Sequence, residues 1–211
     1  MRRTAIVYPN NVFADGFESG DFTAWSATGG AVANISVTPG GAQGSAFQMQ
    51  AQVAQNTSGY VQDNTPTAET SYHARFYFNP NNVNITTAPR TIFTGLSAAN
   101  QAVFQVQVRR SGGNYQASAV VSRAGGTTAT NWFNISNNTY TAIEIAWASG
   151  NPASFALYTG GTLRQTLTNL DTSAFTLDTV LLGPQGALNG LNGTTWYFDS
   201  FVSTRRTVIG P

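Results

Sequence analysis

Strict alternation of apolar and polar residues runs through most of this chain, and it constrains the fold more than any other feature. Phe47, Met49, Ala51 and Val53 alternate with Gln48, Gln50 and Gln52. Tyr72, Ala74, Phe76 and Phe78 alternate with His73, Arg75 and Tyr77. The same period of two recurs at Phe104, Val106 and Val108, at Tyr115, Ala117, Ala119 and Val121, at Ile143, Ile145 and Trp147, and at Phe155 and Leu157. A last long strand is predicted from Thr195 to about Thr204. Successive side chains of a strand point to opposite faces, so each run offers one face to a core and one to water. Helical periodicity is nearly absent, and helix is expected in fewer than about a tenth of residues.

Glycine-rich turns separate the runs. Ser111-Gly112-Gly113-Asn114 and Thr159-Gly160-Gly161 each sit between two alternating stretches, and each predicts a hairpin. Thr38-Pro39-Gly40-Gly41, Ala124-Gly125-Gly126 and Ser149-Gly150-Asn151-Pro152 punctuate the rest. A dozen or more short antiparallel strands with such turns predict a sandwich or a barrel. The chain has 211 residues. No linker or internal repeat divides it, so residues 13–211 are expected to form one domain, with 1–12 an N-terminal extension or an edge strand.

Composition removes several functions. Only 9% of residues are charged, with ten Arg, no Lys and a net charge of +1. Nucleic-acid binding requires a basic stripe, and none exists beyond Arg2-Arg3, Arg109-Arg110 and Arg205-Arg206. The absence of Cys excludes disulfides, thiolate metal sites and a Cys nucleophile. No segment reaches the ~18 apolar residues of a membrane span. The N-terminus lacks the apolar stretch of a signal peptide, so the chain is expected to be a mature or excised piece of a longer secreted protein. An amide- and hydroxyl-rich surface points outside the cell. Six Asn-x-Ser/Thr sequons begin at Asn34, Asn56, Asn84, Asn134, Asn137 and Asn192, as chance allows in so Asn- and Thr-rich a chain.

Three segments carry a family resemblance. Phe13-Ala-Asp-Gly-Phe-Glu-Ser-Gly-Asp-Phe-Thr-Ala-Trp-Ser26 resembles the opening of concanavalin A-like, laminin-G-like jelly rolls of secreted bacterial proteins. Tyr72-His-Ala-Arg-Phe-Tyr-Phe-Asn-Pro80 resembles their first long core strand. Trp196-Tyr-Phe-Asp-Ser-Phe-Val202, running on to Pro211, resembles their closing strand and tail. With the hairpin Arg109-Arg-Ser-Gly-Gly-Asn-Tyr115, the likeness covers nearly the whole chain. It implies an all-β concanavalin A-like jelly roll of an uncharacterised C-terminal accessory type. It implies no activity, because this superfamily holds lectins, binding modules, glycosidases, lyases and structural domains.

The resemblance also implies a structural Ca²⁺ between the first loop and the last strand. Its ligands here are expected to be Glu18 and Asp199, with Asp15 or Asp21 and loop carbonyls. Four of the nine acidic residues fall in these two segments. Ca²⁺ takes six to eight oxygen ligands, which suits such a set. The alternative is that Asp15 and Asp21 shape turns, and that Asp199 pairs with an Arg or faces water.

Catalytic signals are thin. Retaining glycosidases need two neighbouring carboxylates. Along Ala142-Ile-Glu-Ile-Ala-Trp147 only Glu144 occupies the outward positions, and Asp171 and Asp178 lie in other segments. Glu144 is therefore expected to be solvated or paired with an Arg. His73 has no nucleophile motif beside it and is expected on a surface or half-buried strand. Of the aromatic residues, Tyr77, Tyr115, Trp132, Phe133, Tyr140, Tyr158 and Tyr197 fit no clear core position, and Trp132, Tyr140 and Tyr115 are the ligand-binding candidates. Trp132 and Tyr140, near Asn134, Asn137 and Asn138, either stack on sugars or plug the sandwich end. The unblunted, Lys-free strands also suit edge-to-edge self-association, with Thr4–Tyr8 adding a strand to a neighbour. The expected function is a non-catalytic extracellular binding or adhesion module for glycans or cell-surface material. A self-assembling filament or surface-layer subunit is the alternative, and a polysaccharide-active enzyme the third.

Overall fold

A computed structural model describes residues 10–53, 59–186 and 194–211. The Thr4–Tyr8 segment and the sequons at Asn56 and Asn192 lie outside these residues. In chain order the strands are β1 (Asn11–Asp15), β2 (Ala27–Gly30), β3 (Ile35–Pro39), β4 (Phe47–Val53), β5 (Gly59–Asp63) and β6 (Ser71–Asn79). Then come β7 (Arg90–Leu96), β8 (Ala102–Ser111), β9 (Asn114–Arg123), β10 (Gly126–Ala129) and β11 (Phe133–Asn134). The last are β12 (Thr141–Ala148), β13 (Ala153–Thr159), β14 (Thr162–Leu170), β15 (Thr179–Gln185) and β16 (Thr194–Thr204). Among the described residues the only helix is a single 3₁₀ turn, Val32–Asn34.

The strands form two antiparallel eight-stranded sheets. Sheet A has the order β14-β13-β12-β6-β16-β4-β3, with β1 also on β16. Sheet B has the order β10-β9-β8-β7-β15-β5-β2, with β11 on β9. Non-sequential neighbours in both sheets make this a jelly-roll sandwich. The alternation reads through directly. Tyr72, Ala74, Phe76 and Phe78 of β6 are fully buried, as are Ile143 and Ile145 of β12 and Met49, Ala51 and Val53 of β4. Aromatic rings join the sheets: Phe76 lies 5.3 Å from Phe93, and Phe104 lies 6.2 Å from Phe155 and 6.3 Å from Trp147. Burying each such side chain contributes roughly 1.5–3 kcal/mol.

The expected hairpins are present. Gly112 (φ 57°) and Gly113 (φ 82°) turn β8 into β9, with both central residues at positive φ as a two-residue loop of matching twist requires. Gly160 and Gly161 do the same between β13 and β14.

β16 carries the feature that positions the site. Its first half pairs with β4 and its second half with β1. Against β6 the register shifts between Asp199 and Val202, where Ser200 takes φ 48°. This bulge lets Phe198 and Phe201, three residues apart, both enter the core. It also leaves Asp199 on the outer face of sheet A. No described helix is long and apolar enough to cross a membrane.

Candidate functional site

Two loops cover the outer face of sheet A, and the chain's polar chemistry collects beneath them. The loop between β3 and β4 folds back so that Ala42 packs on Tyr77 and Ala142. Beneath it the Asp199 carboxylate is wholly buried. Its Oδ2 accepts from Ala42 N at 2.7 Å and its Oδ1 from Ser200 N at 2.6 Å. From the other side, Glu18 Oε1 accepts from Ser45 Oγ (2.5 Å), Ala46 N (3.1 Å) and Phe47 N (3.1 Å). Ser45 Oγ also faces Phe47 O at 2.9 Å and the Asp199 carboxylate. Gly41 makes this approach possible: a Cβ there would stand 2.7 Å from Asp199 Oδ2 and 2.9 Å from Phe47 O.

Burial pushes the Asp199 carboxyl up to about 6, with the nearby Glu18 charge adding a smaller upward push against the hydrogen bonds from Ala42, Ser200 and Ser45. Glu18 is exposed, and its bonds from Ser45 and the amides of Phe47 and Ala46 hold it below the usual carboxylate range. One hydroxyl carries one proton, yet the Ser45 hydroxyl faces two carboxylates and a carbonyl. A hard cation is the partner such an oxygen-rich point fits. Among the described residues no three acidic or histidine side chains gather to hold a metal. Side chains therefore supply at most two carboxylates, and hydroxyl and backbone oxygens must complete any shell.

Asp15 and Asp21 do not join this cluster. Asp15 Oδ2 accepts from Trp25 Nε1 at 2.7 Å and its Oδ1 from Phe17 N at 3.0 Å. Asp21 Oδ1 closes a local turn with Ser19 Oγ, Thr23 N and Thr23 Oγ1. Their work is to hold the first loop on its aromatic packing.

Glu144 departs from expectation. It is neither solvated nor paired with an Arg, and is only 2% exposed. The C-terminal segment crosses sheet A above it, donating Ile209 N to Oε1 at 2.7 Å and Gly210 N to Oε2 at 3.0 Å. Asp171 and Asp178 are occupied elsewhere: Asp171 caps Ser173, and Asp178 accepts from Ala68 N and Ala98 N. His73 is half-buried on β6, and burial alone lowers its pKa.

The three aromatic candidates separate. Tyr115 is a correction: it is fully buried, donates to Val83 O at 2.7 Å and accepts from Trp196 Nε1 at 3.2 Å. A ring in the core offers no face to a sugar. Tyr140 lies over sheet A, edge-on to Tyr77 at 6.5 Å and bonded to Gln48. Trp132 belongs to the opposite outer face, that of sheet B, where the Arg109 guanidinium sits 4.3 Å from its ring centroid. The Arg109 Nε donates to Gln116 Oε1 (2.9 Å), and Gln116 Nε2 donates to Asn134 Oδ1 (3.0 Å). Trp132 and Tyr140 therefore cannot form one site. Sequence reasoning passed over Ser45 and Gly41, which looked like ordinary turn residues.

No protein-family profile matches the chain, and no curated protein matches it closely enough in sequence to count as a relative. Solved structures do share its architecture. The binding domain of Paraclostridial Mosquitocidal Protein 1 aligns with a TM-score of 0.65 at 13% identity, over 95% of this chain and 50% of that one. The endo-β-1,4-glucuronan lyase of the fungus Trichoderma reesei aligns at 0.68 and 12%, over 93% and 96%. The receptor binding domain of botulinum neurotoxin type G aligns at 0.63 and 11%, over 94% and 48%. The chain thus spans about half the length of the toxin binding domains. At these identities the likeness shows the fold alone: a two-sheet jelly-roll sandwich, found here in both binding domains and a polysaccharide lyase.

Proposed function

We propose that this chain is a non-catalytic, extracellular binding module for glycans or cell-surface material, braced by a structural Ca²⁺. The observation that carries the binding role is the partly exposed Trp132 on the outer face of sheet B, stacked with Arg109 and beside the polar ladder Arg109–Gln116–Asn134. An indole offers a flat apolar surface for the C–H face of a sugar, while amides and a guanidinium bond its hydroxyls. Similar folds support the reading: one belongs to botulinum neurotoxin type C, whose cell entry depends on interaction with two ganglioside molecules. The lyase neighbours point toward polysaccharide as well, and the buried Glu144, held by two amides, has no partner carboxylate for the acid–base pair that glycoside hydrolysis uses. The test is a glycan array with wild type and Trp132→Ala, alongside an assay for polysaccharide cleavage. Retention lost in the variant with unchanged melting supports the module, and polysaccharide cleavage by the wild type sinks it.

Glu18 and Asp199 would hold the calcium ion, with the Ser45 hydroxyl and Phe47 carbonyl beside them. The ion would neutralise two adjacent carboxylates and tie the first loop to the last strand. Binding at a hundred times Kd would add about 2.7 kcal/mol of stability. Melting in calcium and in chelator at matched ionic strength, with elemental analysis, tests it. An unchanged midpoint and no bound metal would refute a stabilising site.

One observation favours the structural alternative. Edge strand β14 is nine residues long, mostly exposed, and carries a single charge, Arg164. Such an edge is a template for pairing with a second copy. Sedimentation velocity with wild type and Thr166→Pro distinguishes the readings: ordered polymers lost in the variant favour assembly, and a monomer at high concentration excludes it.

A further inference from the structure

Arg75 stands at the centre of the outer face of sheet A, on β6, with Glu144 of β12 and Val202 of β16 as its cross-strand neighbours. Its guanidinium lies 4.8 Å from the centre of the Tyr77 ring. Its Nε is buried and has no acceptor among the described residues. Glu144, the obvious partner, turns both oxygens to the C-terminal segment. Asp15, the other nearby acid, gives its oxygens to Phe17 and Trp25. Among the described residues the only ion pair is that of Arg205 with Glu69.

Arg75 also borders a cavity of about 360 Å³. Ala14 of β1 and Val202 of β16 form its walls, and Val208 and Ile209 of the C-terminal segment form its roof. A more open hollow continues from Arg75 toward Gly16 and Ser200. The volume falls in the range of ~300–1,000 Å³ typical of small-molecule sites, which combine an apolar lining with a few polar anchors. Here Ala14, Val202, Val208 and Ile209 make the lining mainly apolar, Asn10, Asn11, Thr204 and Thr207 add neutral polar groups, and the charged anchor is one planar cation whose nearby carboxylates are all committed elsewhere. A guanidinium edge matches a carboxylate through two parallel N–H···O bonds.

We propose that this cavity binds a small organic carboxylate, its carboxylate on the Arg75 guanidinium and its apolar body against Ala14, Val202, Val208 and Ile209. The site is independent of the glycan surface around Trp132, which lies on the other sheet. The Glu144 clamp is part of it, because it holds the roof in place and keeps that carboxylate off Arg75.

Titration of the ¹⁵N-labelled full chain, followed by amide chemical shifts, tests the proposal with four probes: benzoate, benzyl alcohol, glucuronate and glucose. Benzoate is expected to shift the amides of Ala14, Val202, Val208 and Ile209. Benzyl alcohol, of similar shape but uncharged, should bind about tenfold or more weakly, as should benzoate to Arg75→Gln. Ala14→Leu, which fills the cavity and leaves Arg75 intact, should also abolish the shifts, and it keeps the test decisive if Arg75→Gln misfolds. Trp132→Ala should change nothing. Equal binding of the alcohol, benzoate binding indifferent to both substitutions, or no shift at this cavity would overturn the proposal. Glucuronate binding more tightly than benzoate would overturn the apolar-bodied ligand.

Discussion

The two outer faces of the sandwich obey the same alternation and end in opposite environments. On sheet B, Gln105, Gln107, Arg109 and Gln116 point away from the core and remain partly exposed. On sheet A, Asp199, Tyr77 and Glu144 also point away from the core, yet all three are buried, because the β3–β4 loop and the C-terminal segment lie across them. The difference teaches that period two assigns a side chain to a face and says nothing of what covers that face. It also places the fold's polar interior. Sheet B meets water with uncharged amides, whereas sheet A hides carboxylates under backbone amides, where each bond is strong and each loss is costly.

Breaking the covered face should have the largest effect. Asp199→Ala leaves the amides of Ala42 and Ser200 without their buried acceptor and should cost about 2–3 kcal/mol in urea denaturation without calcium. A loss below half a kcal/mol would mean that water replaces the carboxylate under the loop.

The pH dependence of that face comes next. The folded Asp199 carboxyl sits near 6 against an ordinary 3.8. Between those values the folded state holds more protons than the unfolded state, so stability falls as pH rises through the window. The Asp199 share is on the order of 1–3 kcal/mol. Burial also raises Asp15 and Asp63, with the same sign, so comparison with Asp199→Asn isolates it. Glu18 acts oppositely and lower: its depressed pKa gives stability that is lost as pH falls below the ordinary 4.5. Calcium at millimolar concentration should remove the decline toward neutral pH, since the metal binds the ionised pair. A decline unchanged by calcium would separate the buried carboxylate from any metal role.

Glu144→Gln should cost about 1–2 kcal/mol, because one amide oxygen replaces two carboxylate acceptors. It should also make residues 207–211 more accessible to carboxypeptidase, and digestion as slow as wild type would show that the clamp is dispensable. The open face should respond least. Trp132→Ala removes the stacked Arg109 contact and should cost under about 1 kcal/mol, while removing glycan retention.

Much of this was legible from residues alone. The alternating runs on β6, β8 and β12 placed their core residues correctly, as did that on β4 apart from the partly exposed Phe47 and that on β9 apart from Tyr115, and Gly-Gly pairs marked the β8–β9 and β13–β14 hairpins. The first-loop and last-strand carboxylates were singled out as a pair, and the structure does bring Glu18 and Asp199 to one hydroxyl. Asp15 and Asp21 were not separable from them in sequence, since a turn-forming Asp and a ligand Asp look alike. Tyr115 failed for a related reason. It sits at an inward position of β9, and only the Val83 carbonyl and the Trp196 indole, distant in sequence, explain how its hydroxyl is satisfied inside the core.

The sequence by itself determined the local matters: strand period, turn positions, the lack of helix, and the apolar face of each strand. These depend on a residue's own chirality and on its nearest neighbours along the chain. Which strands adjoin, where the bulge at Ser200 redirects Phe201, and which loops close over Asp199 and Glu144 were decided only in the tertiary structure. Those contacts join residues as distant as Phe13 and Ser203, 190 positions apart, and Ala42 and Asp199, 157 apart. No local pattern encodes them, because they arise when two sheets pack and leave each loop a particular surface to cover.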